Sequence, residues 1–239
     1  MRLIAHRGLS GLHPENTMSS FRAALRAGAA AVEFDVQQSS DGVLVVVHDP
    51  VLSRLCGLRR KVGDLPARRL SSLDAGRWFS SRFAGERIPR LEEVMGLLGG
   101  RVEVHLEIKQ PPDDAYEGIE GRVCALLSSR PDWMKRTVVS SFDHEALVRV
   151  RALRPEVRLG LLAGPQARED ALRRASGLGC ESVHLGRRQA DRDWVRRAHC
   201  RGLRVLVYTV NERREFERLR ALGADGVFTD RLDALKERP

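Results

Sequence analysis

Val32-Glu33-Phe34-Asp35-Val36-Gln37 and Val102-Glu103-Val104-His105-Leu106-Glu107-Ile108-Lys109 are two stretches of one design. Side chains alternate faces along a strand. Val32, Phe34 and Val36 therefore take one face, and Glu33, Asp35 and Gln37 the other. In the second stretch Val102, Val104, Leu106 and Ile108 oppose Glu103, His105, Glu107 and Lys109. An apolar face toward covering helices leaves the acidic face pointing into the sheet's other side. If that side is the inside of a barrel, inward carboxylates are costly unless a cation or hydrogen-bond donors satisfy them.

With these two, apolar runs of the same type fall at 2–6, 31–36, 43–48, 102–108, 137–141, 158–162, 182–185, 204–209 and 226–229. Amphipathic, helix-like runs separate most of them, at 17–27, 116–128, 144–153, 167–176, 191–200 and 212–222. Repeated strand-then-helix order implies a parallel sheet with covering helices. The 239 residues suit one α/β domain, a (β/α)₈ TIM barrel spanning 1–239, since such barrels typically need roughly 250. A doubly wound open sheet is the alternative, but no G-x-G-x-x-G follows the first run. A short internal match supports repetition. Leu25-Arg26-Ala27-Gly28-Ala29-Ala30-Ala31-Val32 parallels Arg220-Ala221-Leu222-Gly223-Ala224-Asp225-Gly226-Val227, each a helix end, a glycine stop and a new strand. The segment 49–89 breaks the rhythm with scattered glycines and prolines. It is expected to be a small insertion after the second barrel strand region, set at the barrel mouth.

The formal net charge is +9, carried almost entirely by arginine, with Lys61, Lys109, Lys135 and Lys236 as the lysines. The arginines are spread along the chain with little aromatic interleaving, which argues against a nucleic-acid binder. A positive field that draws in an anionic small substrate fits better. No apolar run reaches the ~18 residues of a membrane span, so no stable membrane insertion is expected. The N-terminal run shows no leader pattern. Cys56, Cys124, Cys180 and Cys200 form no CxxC pair, and a reduced, cytoplasmic setting is expected. Oligomeric state is not legible.

Barrel enzymes place catalytic groups at the C-terminal ends of strands. His6 ends the first run with Arg7 next to it, Glu107 and Lys109 stand at the end of the fourth, and His48 ends the third. Glu33, Asp35 and Glu107 offer three hard oxygen donors, a set suited to Mg²⁺ or Ca²⁺. Arg7 and Lys109 beside them suit a phosphate. His6 and His48 suit general acid–base work near neutral pH. Glu103 and His105 lie deeper and suit a structural role. His13, His144, His184 and His199 have no comparable setting and read as structural or surface groups.

The ordered set His6-Arg7-Gly8, Pro14-Glu15-Asn16-Thr17, Glu33-Phe34-Asp35-Val36, His48-Asp49, Ile88-Pro89-Arg90-Leu91-Glu92-Glu93-Val94, Glu107-Ile108-Lys109 and Thr229-Asp230 resembles the glycerophosphodiester phosphodiesterase family over essentially the whole chain. The resemblance implies a barrel, a divalent cation, and hydrolysis of glycerophosphodiesters to sn-glycerol 3-phosphate and an alcohol. It gives Glu33, Asp35 and Glu107 as metal ligands and His6 and His48 as the acid–base pair. Arg7 and Lys109 become phosphate contacts. Family members usually carry Thr in place of Arg90 and often Trp in place of Tyr208. Arg90 is then expected to reach the mouth, and Tyr208 to offer an aromatic wall to substrate. Asn16 or Thr17 suits either a helix cap or a ligand contact, and Ser141-Phe142 resembles a site-lining signature. A phospholipase D-like enzyme acting on lysophospholipids is the alternative within the same superfamily, with Trp78, Phe79 and Phe83 as possible lipid contacts. A Schiff-base aldolase using Lys109 is a further reading. It needs a lowered lysine pKa, which Glu107 opposes. A non-catalytic binder leaves the inward carboxylates unexplained.

Overall fold

The structure, a computed structural model, describes residues 1–111, 116–164 and 167–236. The chain runs β1 (Arg2–His6), α1 (Met18–Arg26), β2 (Ala31–Gln38), β3 (Leu44–Val46), α2 (Ser53–Cys56), α3 (Ala67–Leu70), α4 (Leu91–Leu98) and β4 (Glu103–Ile108). It continues through α5 (Ile119–Ser128), α6 (Pro131–Arg136), β5 (Thr137–Ser141), α7 (His144–Leu153), β6 (Arg158–Leu162) and α8 (Arg168–Gly177). Then follow β7 (Ser182–Gly186), α9 (Arg192–His199), β8 (Arg204–Tyr208), α10 (Arg213–Leu222), β9 (Gly226–Thr229) and α11 (Leu232–Leu235).

Eight strands pair in parallel in the order β1, β2, β4, β5, β6, β7, β8, β9, and β9 returns to β1. The closed ring with its outer helices is a (β/α)₈ barrel, as the repeating pattern implied. The expected strand 43–48 is a correction. Only Leu44–Val46 is extended, and it runs antiparallel to β2 with Val36 opposite Val46 and Gln38 opposite Leu44. It is a hairpin arm on the overhanging end of β2, not a barrel strand. His48 therefore stands on a loop that the hairpin carries back over the mouth, not on a strand end. The expected helix start at Tyr116 is also wrong. The helix begins at Ile119, after Gly118 in the left-handed conformation. Helices α2, α4, α6 and α11 went unread, whereas α3 falls where a short helix around 67–74 was expected within the insertion.

Two apolar layers hold the barrel. Between strands and helices pack Phe21, Phe34, Leu98, Leu106, Ile119 and Leu127, all fully buried. Inside the ring a smaller cluster of Ile4, Ala31, Leu206 and Phe228 fills the centre. At the N-terminal end of the strands Glu103 pairs with Arg2 (2.9 Å) and Arg158 (3.0 Å), while Arg158 also holds Glu181 (2.9 Å). His105 lies 3.1 Å from Glu103. Glu103 and His105 are thus the structural pair expected of them. Burial opposes ionisation of Glu103, but His105 and Arg158 outweigh it and bring its pKa to about 2.

The paired glycine stops of the internal match are both real. Gly28 (φ 70°) and Gly223 (φ 88°) sit in the left-handed region after α1 and α10, which costs glycine least. The 49–89 segment packs Leu52, Leu55, Val62, Leu70, Ala75 and Ile88 against Val45 and Val47 of the hairpin arm in a small core apart from the barrel's. Its aromatics pack mostly on one another. Phe79 meets Trp78 and Phe83 edge-on, each with centroids 5.7 Å apart, and His13 covers Phe83 at 5.0 Å. Among the described residues no helix is long and apolar enough to cross a membrane. All four cysteines are free thiols.

Candidate active site

The C-terminal ends of the strands open into a pocket of about 150 Å³, lined by His6, Arg7, Glu33, His48, Glu107 and Lys109 together with Tyr208, Phe142, His184 and Phe228. Adjacent register places the acids: Asp35 on β2 pairs with Glu107 on β4, and His6 on β1 pairs with Glu33 on β2. One oxygen from each of Glu33, Asp35 and Glu107 lies within 4.8 Å of the others. Six of the eight residues expected at the site on sequence grounds converge at the pocket wall, Tyr208 joins them as its aromatic side, and Asp35 is buried directly behind at 1 % exposure.

The cluster is electrostatically unfinished. Burial and the charge of Asp35 push Glu33 well above the carboxylate range. Burial likewise raises Glu107, against the pull of Lys109, to about 7. Burial opposes ionisation of Asp35 too, but Lys109, Arg7 and His48 outweigh it and hold it charged. Three carboxylates this close cannot all ionise on their own. A hard divalent cation, bound by oxygens, would remove the penalty. The residues present therefore fit such an ion.

Cations and donors brace the same carboxylates. Lys109 Nζ lies 2.7 Å from Glu107 and 3.3 Å from Asp35. Despite the burial that opposes it, this raises its pKa above the usual lysine range. That is the opposite of what a Schiff-base nucleophile requires, so the aldolase reading loses its lysine. Arg7 takes a left-handed backbone (φ 54°), uncommon outside glycine and typical of functional sites. The turn aims its N–H at Glu33 Oε2 (3.0 Å). Its guanidinium donates to Glu15 (3.0 Å), and Nε lies 3.2 Å from Asp35 without hydrogen-bond geometry. Thr17 caps α1 by accepting from Ser20 N–H. Asn16, also left-handed, donates to Asp35 (2.8 Å). The open choice between cap and ligand contact is thus divided between the two residues, with Asn16 on the carboxylate.

Each candidate histidine is held through Nδ1 by an aspartate. His6 Nδ1 lies 2.7 Å from Asp230 Oδ1, and His48 Nδ1 lies 2.8 Å from Asp49 Oδ1. Burial opposes the charge on Asp230, but His6, Asn211 and Ser10 lower its pKa to about 2. Arg54 and His48 likewise lower Asp49 against its burial. An ionised carboxylate only accepts hydrogen bonds. In its neutral form each imidazole then carries its proton on Nδ1 and turns a free Nε2 lone pair elsewhere. For His6 that nitrogen is 3.8 Å from Glu33. Burial leaves the His48 imidazolium less favourable than usual, only partly offset by Asp35.

The His48 loop is itself pinned. Gln37, expected to face the barrel interior, sits above the rim, where Nε2 reaches the carbonyls of Val47 and His48 (2.9 Å each). Tyr116 donates its hydroxyl to the other end of that amide (2.8 Å). Sequence reasoning missed Asp49 and Asp230 as orienting groups, although both stood in quoted motifs. A carboxylate beside or at the strand end facing a candidate histidine was the available signal. One further expectation fails. Arg90 sits exposed at the start of α4 and lines no part of the pocket. Its neighbours Pro89 and Val45 fasten it to the outer hairpin arm. His184 is the structural histidine it was read as, buried at 1 % exposure and tied to Ser182 (3.0 Å), and it lies at the base of the pocket lining. Ser141 bonds the Ile108 carbonyl (2.7 Å), whereas Phe142 stands in the pocket wall edge-on to Tyr208.

A barrel with an acidic cluster and two carboxylate-oriented histidines at its mouth defines a hydrolase equipped for phosphate esters. Comparison with known proteins narrows the class. The Glycerophosphoryl diester phosphodiesterase family matches residues 6–234, and the chain belongs to that family. It is 35 % identical over 237 residues to the glycerophosphodiester phosphodiesterase of Caldanaerobacter subterraneus subsp. tengcongensis, covering 98 % of this chain and 95 % of the relative. A phosphodiesterase from Oleispira antarctica, solved in complex with the product sn-glycerol-3-phosphate, superposes with a TM-score of 0.87. The two are 32 % identical, over 98 % of this chain and 95 % of the other. The glycerophosphodiester phosphodiesterase of Agrobacterium tumefaciens gives a TM-score of 0.83 at 26 % identity, over 98 % of each chain. The chain is accordingly an enzyme of this kind, with glycerophosphodiesters as its substrate class.

Proposed function

We propose that the chain, as one barrel domain over 1–239, hydrolyses glycerophosphodiesters to sn-glycerol 3-phosphate and an alcohol with a divalent cation, Mg²⁺ or Ca²⁺, held by Glu33, Asp35 and Glu107. The observation that carries this is the meeting of three mutually destabilising carboxylates and two aspartate-held histidines at one pocket. When bound, the cation supplies Lewis-acid polarisation of the phosphate. Lys109 and Arg7 line the same wall and bind the phosphate's remaining charge. Tyr208 and Phe142, packed edge-to-face on each other, form an aromatic part of the pocket wall suited to the glycerol carbons.

The substrate brings its own nucleophile, the glycerol 2-hydroxyl next to phosphorus. Its attack forms the new P–O bond as the alcohol's P–O bond breaks, leaving a cyclic phosphate. Intramolecular attack avoids recruiting a second molecule, an advantage worth up to ~7–11 kcal/mol in well-oriented cases. One of His6 and His48 takes the hydroxyl proton on Nε2, and the other protonates the departing alcohol. With roles reversed, the pair then adds water across the cyclic ester. The mechanism is assigned to the pair jointly.

The test is turnover of glycerophosphocholine against its 2-deoxy analogue, with the released choline, common to both, as the measured product. The account expects binding of the analogue with very poor turnover. Rapid hydrolysis of the analogue would mean direct attack by water.

A further inference from the structure

The insertion contributes one residue whose geometry reaches both sides of the pocket. Arg54 lies in α2, the first turn of the insertion, and lines no part of the pocket itself. Its Nε donates to Asp49 Oδ2 (2.7 Å). Its two terminal nitrogens donate to Glu15, at 2.7 Å to Oε1 and 3.1 Å to Oε2. Each carboxylate uses its remaining capacity on a pocket residue. Asp49 Oδ1 holds His48 Nδ1 at 2.8 Å, and Glu15 Oε1 accepts from Arg7 at 3.0 Å. Glu15 belongs to the loop after β1, and Asp49 to the loop after β3. One planar guanidinium thus ties together two loops that come from different strands.

Arginine is the residue whose fixed fork of donors can satisfy two carboxylates at once. The guanidinium is also clamped from a third side, its carbon 5.1 Å from the centre of the Trp78 ring. Trp78 is anchored by its own indole N–H on the Ala75 carbonyl (2.8 Å). A chain of contacts therefore runs from the insertion's aromatic cluster through Arg54 to His48 on one side and Arg7 on the other.

We propose that Arg54 is a positioning residue: it fixes His48 through Asp49 and Arg7 through Glu15, with Trp78 as its platform. This rests on the roles given above to His48 and Arg7. It assigns a purpose to the insertion, which completes the catalytic mouth without touching substrate. A small displacement of a positioned group costs about 10²-fold in rate, so Arg54→Ala is expected to lower kcat by roughly 10- to 100-fold. Arg54→Lys keeps a charge that reaches one carboxylate, and its kcat falls between the two. Trp78→Ala lowers kcat less than Arg54→Ala.

The experiment measures kcat and KM for glycerophosphocholine with the metal-loaded enzyme and these variants, alongside His48→Ala and thermal melts. Arg54→Ala is assayed again with low concentrations of guanidinium, and with matched sodium and methylammonium chloride. The expected result is recovery of kcat by guanidinium alone. Wild-type kcat in Arg54→Ala would overturn the assignment, and so would a loss that guanidinium leaves untouched in a variant that melts like wild type. If Arg54→Ala does not fold, Arg54→Lys decides: reduced kcat at unchanged melting temperature supports the assignment, and wild-type kcat refutes it. Full activity in His48→Ala would instead strike at the proposed mechanism, not at Arg54 alone.

Discussion

Asp230→Asn isolates the orientation of His6 from its presence. Asp230 Oδ1 accepts from His6 Nδ1 (2.7 Å) and from Ser10 (2.8 Å), while Oδ2 accepts from Asn211 Nδ2 (2.7 Å). Asn211 cannot turn over, because its carbonyl oxygen already takes the Asp230 N–H (2.9 Å) and the Thr229 hydroxyl (3.2 Å). An asparagine at 230 must therefore give its oxygen to Asn211 and its NH₂ to His6, or else set two donors against each other. In the first arrangement His6 Nδ1 becomes an acceptor and its proton moves to Nε2. The imidazole then meets the pocket as a donor and has lost its basic lone pair. Loss of a positioned base costs about 10²–10⁴ in rate, equivalent to about 2.7–5.4 kcal/mol of barrier. The stability loss is smaller, about 1.5–3 kcal/mol for a hydrogen bond to a charged group, or a fall of several degrees in Tm. The assay is steady-state release of glycerol 3-phosphate together with a thermal melt. A variant that melts near wild type yet retains kcat within threefold would refute the reasoning about His6.

Other consequences follow from the same electrostatics. In metal-free protein Glu107 titrates near pH 7 when folded, against about 4.3 unfolded. Between those values the folded state holds a proton that the unfolded state has lost, so stability falls as pH rises, by about 1.4 kcal/mol per unit for one group. Tm measured from pH 5 to 7 should drop in EDTA and flatten with Mg²⁺ or Ca²⁺, and a flat profile in EDTA would contradict the raised pKa. Glu107→Gln should make that slope shallower, leaving the part that Glu33 contributes, and should remove the melting-temperature rise on adding metal, which differential scanning fluorimetry checks. Tyr208→Phe should keep kcat/KM within about threefold, since the hydroxyl makes only a 3.4 Å contact with the Ala163 carbonyl, whereas Tyr208→Ala should raise KM by removing the wall. Raising salt should lower kcat/KM modestly, as expected of a net charge of +9 acting on an anionic substrate.

The barrel and most of its site were readable because period-two alternation is a strong local signal. Glu33, Asp35, Glu107 and Lys109 could be placed on one face by counting alone. What failed has a common physical cause: position set by tertiary contacts, not by local pattern. The run 43–48 has strand composition, but only pairing with β2 decides that it turns antiparallel and leaves the ring. His48 reached the site by that hairpin, so its placement was right and the route wrong. Arg90 looked free to reach the mouth, yet its backbone bridge to Val45 on the hairpin arm sends it outward. Asp230 and Asp49 were visible as motif residues, but the bond from each to its histidine spans 224 residues in one case and one residue in the other. Arg54 carried no local signal at all, since its two carboxylate partners come from separate loops.

The proposed binding of a divalent cation by Glu33, Asp35 and Glu107 underlies the whole mechanism. It is tested most directly by hydrolysis of glycerophosphocholine by protein stripped with EDTA, before and after Mg²⁺ or Ca²⁺ is restored. The account predicts no glycerol 3-phosphate from the stripped enzyme and recovery on adding back the ion, with no recovery in Glu33→Ala, Asp35→Ala or Glu107→Ala. Full turnover by the stripped, chelated enzyme would contradict it.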